Sequence, residues 1–440
     1  MSFPRYASYR DSGTDWLGDV PSGWSIKRLG FFFDERREKV SDKDYEPLSV
    51  TKNGVLPQLD TAAKTDDGDN RKKVCAGDFV INSRSDRKGS AGLARKNGSV
   101  SLINAVLIPR GGIDAEFAHY LLTSTVFQEE FYRCGKGIVA DLWTTNYSEM
   151  RNILLAVPPA ADQHSICRFL ARELDKIDSL IVEQYRLIDL LRENRRELMT
   201  NAVTRGLNPP VATKPSGVDW LGRVPTHWET SRVKLVSCFI TSGPRGWSER
   251  VGDEGSLFIQ SGDLNDLLKV DFAAAKRVRV SDDAEARRTR LIDGDVVVCI
   301  TGAKTGNVAV CATVPEAAYV NQHLCLIRPT AKILPTYLGA LLKSRIGQVH
   351  FDLSQYGLKQ GLSLEDVANA PVLVPPLDEQ AGIADFVARE IAKLDSLGTE
   401  AQRGIDLLQE RRSALISAIV TGKIDVRAIA ANLPERNATA

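Results

Sequence analysis

The chain has 440 residues, room for two to four domains of ordinary size, and its 43% apolar and 26% charged residues exclude wholesale disorder, collagen-like repeats and coiled coil throughout. Lysine and arginine number 57 against 56 aspartate and glutamate, a net charge of +1, so any nucleic-acid binding has to come from local basic patches. Seven cysteines without a CxxC pair argue against a disulfide framework and for a reducing, cytoplasmic compartment. The opening residues lack the apolar core of a signal peptide, and no run of 18 apolar residues offers a membrane span.

From the N-terminus the first recognisable element is Ser12-Gly13, Asp15-Trp16-Leu17-Gly18, Val20-Pro21 and Trp24. It returns as Ser216-Gly217, Asp219-Trp220-Leu221-Gly222, Val224-Pro225 and Trp228, shifted by 204. Such a long-period repeat marks an internal duplication. Residues 29–157 then read as a mixed α+β segment, with strand-like runs at Phe79-Val80-Ile81 and Val106-Leu107-Ile108 and helical spacing from Phe117 to Phe127. Residues 233–374 repeat the plan, with strands at Val296-Val297-Val298 and Leu324-Cys325-Leu326-Ile327 and helical spacing from Pro335 to Ile346. Gly77-Asp78 aligns with Gly294-Asp295, Asn104 with Asn321, and Tyr120-Leu121 with Tyr337-Leu338, all at a shift of 217, so the second half gains 13 residues on the way.

After each mixed segment comes the strongest match, residues 157–204 against 374–421 in one ungapped register with roughly half the positions identical. Both copies open Val-Pro-Pro-x3-Gln (Gln163, Gln380) and close on Val-Thr before Gly206 or Gly422. Leu170, Leu174, Ile177, Ile181, Ile188, Leu191, Leu198 and Ala202 alternate three and four apart. So do Val387, Ile391, Leu394, Ala401, Ile405, Leu408, Leu415 and Ile419. This is the seam of a long helix that pairs as a coiled coil. We read its polar or seam-breaking positions Gln184 and Gly398 as counterparts, and Arg195 and Arg412 likewise. Asp162 and Asp378 or Glu379 supply acidic first turns, and the two glycines supply stops. The Asp-Trp-Leu-Gly element follows the first helix directly, yet its other copy opens the chain. The plan is therefore circular, and it closes if the helices run antiparallel with the chain ends meeting beside the first mixed segment.

These features resemble the specificity subunit of type I restriction-modification enzymes. The resemblance rests on two variable mixed domains, each followed by Val-Pro-Pro-x3-Gln and a long helix, with the recurring Asp-Trp-Leu-Gly-x-Val-Pro-x2-Trp element, and it covers nearly the whole chain. It implies an α+β protein with two mixed α/β globular target-recognition domains joined by two long antiparallel coiled-coil helices in a pseudo-two-fold internal repeat. The expected division is a first target-recognition domain with the N-terminal repeat element (1–157), a central long helix (158–206), a second target-recognition domain (207–374), a C-terminal long helix (375–424) and a tail (425–440). Further implications are that each domain reads one half of a bipartite site on double-stranded DNA and that the helices set the separation and bind two modification subunits. Restriction subunits join for cleavage. The S-adenosylmethionine chemistry belongs to the modification subunits, so no catalysis, cofactor, metal or membrane contact is expected of this chain. Each helix, at some 43 residues, has room for about 64 Å at 1.5 Å per residue, longer than one duplex turn of roughly 34 Å.

Candidate DNA contacts follow from loop chemistry. Gly77 to Gly89, with Arg84, Arg87 and Lys88, reads as a strand emptying into a basic Gly/Ser loop, where Lys, Arg and amides can hold phosphates while an Arg reaches a guanine edge. Its counterpart runs from Gly294 to Asn307 with Thr301 and Lys304; as an isolated feature either loop also fits a solvated turn. Lys136 and Lys359 sit in a second pair of Gly-flanked loops, and Thr241 to Trp247 in the second half adds Arg245 and Trp247. Trp16, Trp24, Trp220 and Trp228 repeat in both halves and fit packing better than base stacking. Asn208-Pro209-Pro210-Val211 approaches an amino-methyltransferase motif but lacks the aromatic and a cofactor loop. Asp78 with Asp86-Arg87-Lys88 echoes a nuclease site only in the first half, Gly302-Ala303-Lys304-Thr305 fails as a phosphate loop, and His323 with Cys325 fits packing better than zinc. The rival functions are a DNA methyltransferase with fused recognition domains and a coiled-coil scaffold without a DNA role.

Overall fold

The computed structural model describes residues 3–59, 68–137, 143–208, 212–218, 220–355 and 361–433. The chain divides into two compact units, one made of residues 1–183 and 404–440, the other of residues 184–403. Two long helices, Ala160–Arg205 and Leu377–Val420, contribute to both, so each unit is a mixed sheet-and-helix body plus half of each helix. The division thus cuts through both helices, where the sequence boundaries keep them whole.

In the first unit the central antiparallel sheet runs in the order Ala91–Leu93, Phe79–Asn82, Asn104–Pro109, Phe33–Glu35. In the second, Val308–Val310, Val296–Cys299, Leu324–Pro329 and Ser237–Ser242 stand in the same order. Phe79–Asn82, Val296–Cys299 and the first four residues of Asn104–Pro109 and Leu324–Pro329 are buried on both faces, which is why they read as continuous apolar runs without alternation, whereas the edge strands Phe33–Glu35 and Ser237–Ser242 are only partly buried. Each unit has a second sheet, three-stranded in the first (Gly98–Val100, Arg71–Val74, Lys39–Val40) and four-stranded in the second, where Ser256–Ile259 lies parallel to Ala318–Val320.

Each sheet is followed by two short helices where the sequence suggested one: Ala115–Thr123 and Thr125–Arg133, then Pro335–Lys343 and Arg345–Ser354. Ser124 and Ser344 make the break. Each is extended, donates its hydroxyl back to a carbonyl (Leu121, Leu341) and accepts an amide of the next helix. These helices also correct the alignment. Their counterparts are 220 apart, as are Leu107 and Ile327, which pair with Phe79 and Val296 at matched points of the two sheets. Tyr120-Leu121 and Tyr337-Leu338 are therefore not equivalent, nor are Asn104 and Asn321. The equivalent residues are Leu121-Leu122, Ser124 and Gln128 with Leu341-Leu342, Ser344 and Gln348, and both glutamines donate to the matching carbonyl, Leu122 or Leu342.

A two-stranded neck closes each sheet-bearing body: Ser25–Arg28 with Leu154–Val157, and Glu229–Arg232 with Pro371–Val374. The long helices leave directly from these necks, anchored by the glutamine of the Val-Pro-Pro-x3-Gln signature. Gln163 accepts the Asp114 amide at 2.6 Å and donates to the Gly112 and Pro158 carbonyls, while Gln380 does the same with Leu334, Lys332 and Pro375. Both glutamines are buried, and with every polar atom partnered they fix the helix starts to the loops ahead of the short helices.

Along the seam Leu170, Leu174, Ile177, Val387, Ile391, Ala401, Ile405, Leu415 and Ile419 are buried, and Ile181, Ile188, Leu191, Leu394 and Leu408 are half-buried. At the constant shift of 217, Gln184 stands in the place of Ala401 and Gly398 in that of Ile181, so those two interruptions are not counterparts. Arg195 and Arg412 are. Each reaches across to the matched aspartate of the other helix, Arg195 to Asp395 at 3.2 Å in the second unit and Arg412 to Asp178 at 3.1 Å in the first. The helix halves run antiparallel in each unit: in the first, Arg168 donates to the Ala430 and Leu433 carbonyls and the later Asp178 meets the earlier Arg412; in the second, Arg195 meets Asp395 while a Cβ on Gly382 would stand 3.9 Å from Leu207.

The repeated Asp-Trp-Leu-Gly element packs on the helix ends. Gly422, at φ +75°, ends the second helix so close to Pro21 that a Cβ would stand 2.3 Å from Pro21 Cδ, with Trp24 just beyond. Gly206, at φ +73°, ends the first helix over Trp228. Trp24 and Trp228 are fully buried, Trp16 packs against Phe127, and Trp220 is exposed. The chain ends meet in the first unit as the circular plan requires, with the Asp425 amide donating to the Pro4 carbonyl and Tyr9 Oη to that of Gly422. The segment read as a tail starts inside this core, since Val426 and Ala430 are buried and Arg427–Ala431 is helical. All seven cysteines are free, and among the described residues no helix is long and apolar enough to cross a membrane.

Candidate nucleic-acid interface

In the first unit the strand Phe79–Asn82 runs into a loop folded on itself. Asn82 Oδ1 accepts the Arg84 amide, the Ser90 carbonyl accepts the Asn82 amide, and Ser85–Arg87 forms one 3-10 turn. Three further segments are stitched to it. Ser83 donates both its amide and its hydroxyl to the Ile103 carbonyl; the Ser85 amide donates to the Trp143 carbonyl at 3.0 Å; and Thr144 bridges Arg84 on one side and exchanges both backbone bonds with Lys136 on the other. The loop around Arg84 and the loop around Lys136 thus form one surface. Trp143 lies on it at 38% exposure, its indole so close over Gly135 that a Cβ there would stand 2.1 Å away. Only glycine at 135 lets the ring lie down.

The cations of this surface are exposed and carry acidic neighbours. Arg84 and Arg87 flank Asp86 at 3.6 and 3.8 Å, Lys88 meets Glu129 at 2.5 Å and the Tyr132 ring at 5.6 Å, and Lys136 lies 3.5 Å from Glu149. The Ser148 hydroxyl, with Lys136 beside it, holds Glu149 below the ordinary carboxylate range. Exposed pairs of this kind contribute little to stability and are readily exchanged for phosphates.

In the second unit the same strand end carries different side chains. The Ile300 amide donates to the His323 carbonyl and the Leu362 amide to that of Ile300, matching Ser83 with Ile103 and Thr145 with Ser83. Thr301 Oγ1 lies 2.5 Å from His323 Nδ1, and Gln322 Nε2 lies 3.2 Å from His323 Nε2. The loop beyond is held from beneath: Lys343 Nζ donates to Asn307 Oδ1, Gln348 Nε2 to the Gly306 carbonyl, and Lys304 Nζ to the Gly262 carbonyl. Burial keeps Lys343 below the usual lysine range, against the pull of Asp266. Arg245 is exposed, on a loop whose Gly243 amide donates to the Asn321 carbonyl, so this loop and Thr301 share one edge. Trp247, read from the sequence as a possible DNA contact, is 1% exposed and packs on Phe258 and Tyr319; it is core, because an aromatic after Gly-Pro-Arg-Gly can fold back under its own loop. Lys359 lies outside the described residues, as do Pro209, Pro210, Val211 and Asp219.

Two acidic residues with a catalytic look are structural. Asp78 is buried against Arg36 at 2.8 Å and takes the Cys75 amide; Asp295 is buried against Arg328 at 2.8 Å and takes the Ile292 amide. Among the described residues no group of three or more His, Cys, Asp or Glu is placed to hold a metal ion.

Residues 251–402 match the type I restriction modification DNA specificity domain. The chain is 21% identical over 439 residues to the EcoKI specificity subunit of Escherichia coli K12, covering 92% of this chain and 90% of that one. The chain is thus similar to type I restriction-modification specificity subunits along most of its length, and carries their DNA specificity domain over residues 251–402. It is also 25% identical to the Escherichia coli EcoBI specificity subunit over 287 residues, 62% of this chain and 59% of that relative, so this alignment spans less than two thirds of the relative's length. The fold resembles that of a chain solved in a study of complex assembly and conformational transition in a type I R-M system, at TM-score 0.64 and 17% identity over 91% of this chain and 98% of that one. The HsdS subunit from Thermoanaerobacter tengcongensis gives TM-score 0.51 at 17% identity, covering 92% and 98%.

The sequence located Arg84, Lys136 and Thr301 on these edges but missed Trp143, Leu102, Ile103, Gln322 and His323. The signal for Trp143 was present: an aromatic seven residues after Lys136 of the Gly-Lys-Gly loop. For the turn residues the neighbouring strand masked the signal, because Leu102 and Ile103 read as the start of its apolar run.

Proposed function

We propose that this specificity subunit reads an interrupted DNA sequence with its two units, each reading one half, and that it is the non-catalytic partner of modification subunits that carry the S-adenosylmethionine chemistry. The observation that carries the reading is the pair of matched surfaces: one strand order and one set of backbone bonds hold Arg84, Trp143 and Lys136 in the first unit and Thr301, Gln322 and His323 in the second. A shared frame with unlike side chains is what two readers of unlike sequences require. The paired helices serve as the spacer. Their solvent side supports docking of two like partners, since Leu180 and Leu397, and Leu190 and Leu407, are matched positions left 52–56% exposed. Restriction subunits join the same assembly for cleavage.

Changing Arg84, Arg87 and Lys88 together to Ala tests the first surface. Gel shifts over a salt series should show affinity reduced by about tenfold or more and a log-affinity slope against log salt shallower by one to three, with assembly on the modification subunit intact. Unchanged affinity and slope would reduce the loop to a solvated turn.

A further inference from the structure

We propose that the two-residue turn leading into the central strand is a base-reading element, apolar in one unit and polar in the other, so that the first unit reads thymine methyl groups with Leu102 and Ile103 while the second reads base edges by hydrogen bonds from Gln322 and His323. This rests on the DNA-reading function above and names residues and base chemistry that it leaves open.

The two turns occupy one structural place. The Asn104 amide closes the first on the Ser101 carbonyl at 3.0 Å, and the Leu324 amide closes the second on the Asn321 carbonyl at 3.1 Å. Each is bonded to the neighbouring strand-end loop through the carbonyl of its second central residue, Ile103 to Ser83 and His323 to Ile300. The first turn thus abuts the segment that carries Arg84 at the next residue, and the second abuts Thr301 in the same way.

Turn centres favour Gly, Asn, Asp and Ser, which tolerate the backbone and solvate well. The second unit conforms to a polar turn with Gln322 and His323. The first places leucine and isoleucine there, 38% and 40% exposed, at the edge of a cationic surface. A methyl-bearing base edge would cover the exposed part of each side chain. In the major groove the only apolar feature of a base edge is the thymine C5-methyl. Because each residue is more than half covered by its own unit, the pair presents a low apolar step and does not protrude as a wedge inserted between base pairs would. In the second unit Gln322 and His323 meet each other through Nε2 and Nε2 at 3.2 Å while Thr301 holds His323 from Nδ1; a base edge would replace that mutual contact, pairing with the Gln322 amide and with His323 Nε2.

The test uses the complex of the full chain with its modification subunits and duplexes carrying its mapped site, with thymine replaced by deoxyuridine in one half at a time. That change removes the methyl and preserves every hydrogen bond. We expect binding about three- to tenfold weaker when one half is substituted, no change for the other half, and loss of the uracil effect in the Leu102→Ala/Ile103→Ala variant. Sequence-selective, salt-dependent binding that is indifferent to uracil in both halves would overturn this inference and leave the DNA-reading function standing. So would a uracil effect that persists in the variant, or a first-unit half-site without a T·A pair. Absence of any sequence-selective binding would overturn both.

Discussion

Adding or removing seven residues in one long helix and not in the other should cost the protein its fold. The change slides one seam by about 10 Å against a partner that has not moved, since a helix rises 1.5 Å per residue. Leu170, Leu174 and Ile177 would then meet different layers of Leu415 and Ile419, and at least one of the ion pairs Arg195–Asp395 and Arg412–Asp178 would be broken. Arg195 is the more sensitive member: its side chain is mostly covered and its Nε has no partner, so losing Asp395 leaves a covered cation unpaired, at a cost of about 3 kcal/mol or more. Circular dichroism should show a melting temperature lower by several degrees or an insoluble product. Making the same change in both helices, around Gln184 and Gly398, keeps both ion pairs and shifts only the layers between these two points, by one whole heptad, so the product should fold. What should change is the gap between unchanged half-sites, by about three base pairs, with one half-site turned by roughly a quarter turn or more around the duplex. Binding of the original site at undiminished affinity by the doubly lengthened protein would show that the helices are not the ruler.

Exchanging the reader of the first unit for that of another such subunit should replace one half of the recognised sequence and leave the other half untouched. The structure moves the joints. Residues 29–157 would carry away Leu154–Val157 without its partner Ser25–Arg28, whereas residues 29–153 leave this neck intact and cut where the Leu29 amide meets the Ile153 carbonyl. The matching cut in the second unit is residues 233–370, between Glu229–Arg232 and Pro371–Val374. Gln163 and Gln380 still demand a backbone amide and carbonyls from the loop ahead of the first short helix, so donors that keep that loop's length should be accepted best. A simultaneous change in both halves would end the modular account.

The duplication, the long helices, their glycine stops and the meeting of the chain ends were legible because heptad spacing and an ungapped repeat are long-range signals that single substitutions do not erase. The alignment between the helices was not. A chance identity at Tyr120-Leu121 and Tyr337-Leu338 outweighed the shorter pattern of Ser124 with Gln128, whose meaning lies in a helix break and a carbonyl bond visible only in three dimensions. The same limit governs the candidate site. Charge and glycine content marked Arg84 and Lys136, but only backbone pairing through Thr144 makes them neighbours, and Trp247 carried the same local signs as Trp143 while lying in the core.

The most direct measurement is the methylation map of a genome, by single-molecule sequencing, in a strain expressing this chain with its modification subunit as the only methyltransferase. One interrupted motif is expected, two unlike specified segments separated by a fixed run of unspecified bases, with methylated adenine or cytosine in each half. A single uninterrupted motif, or two half-motifs methylated independently of their separation, would contradict two readers held at a set distance.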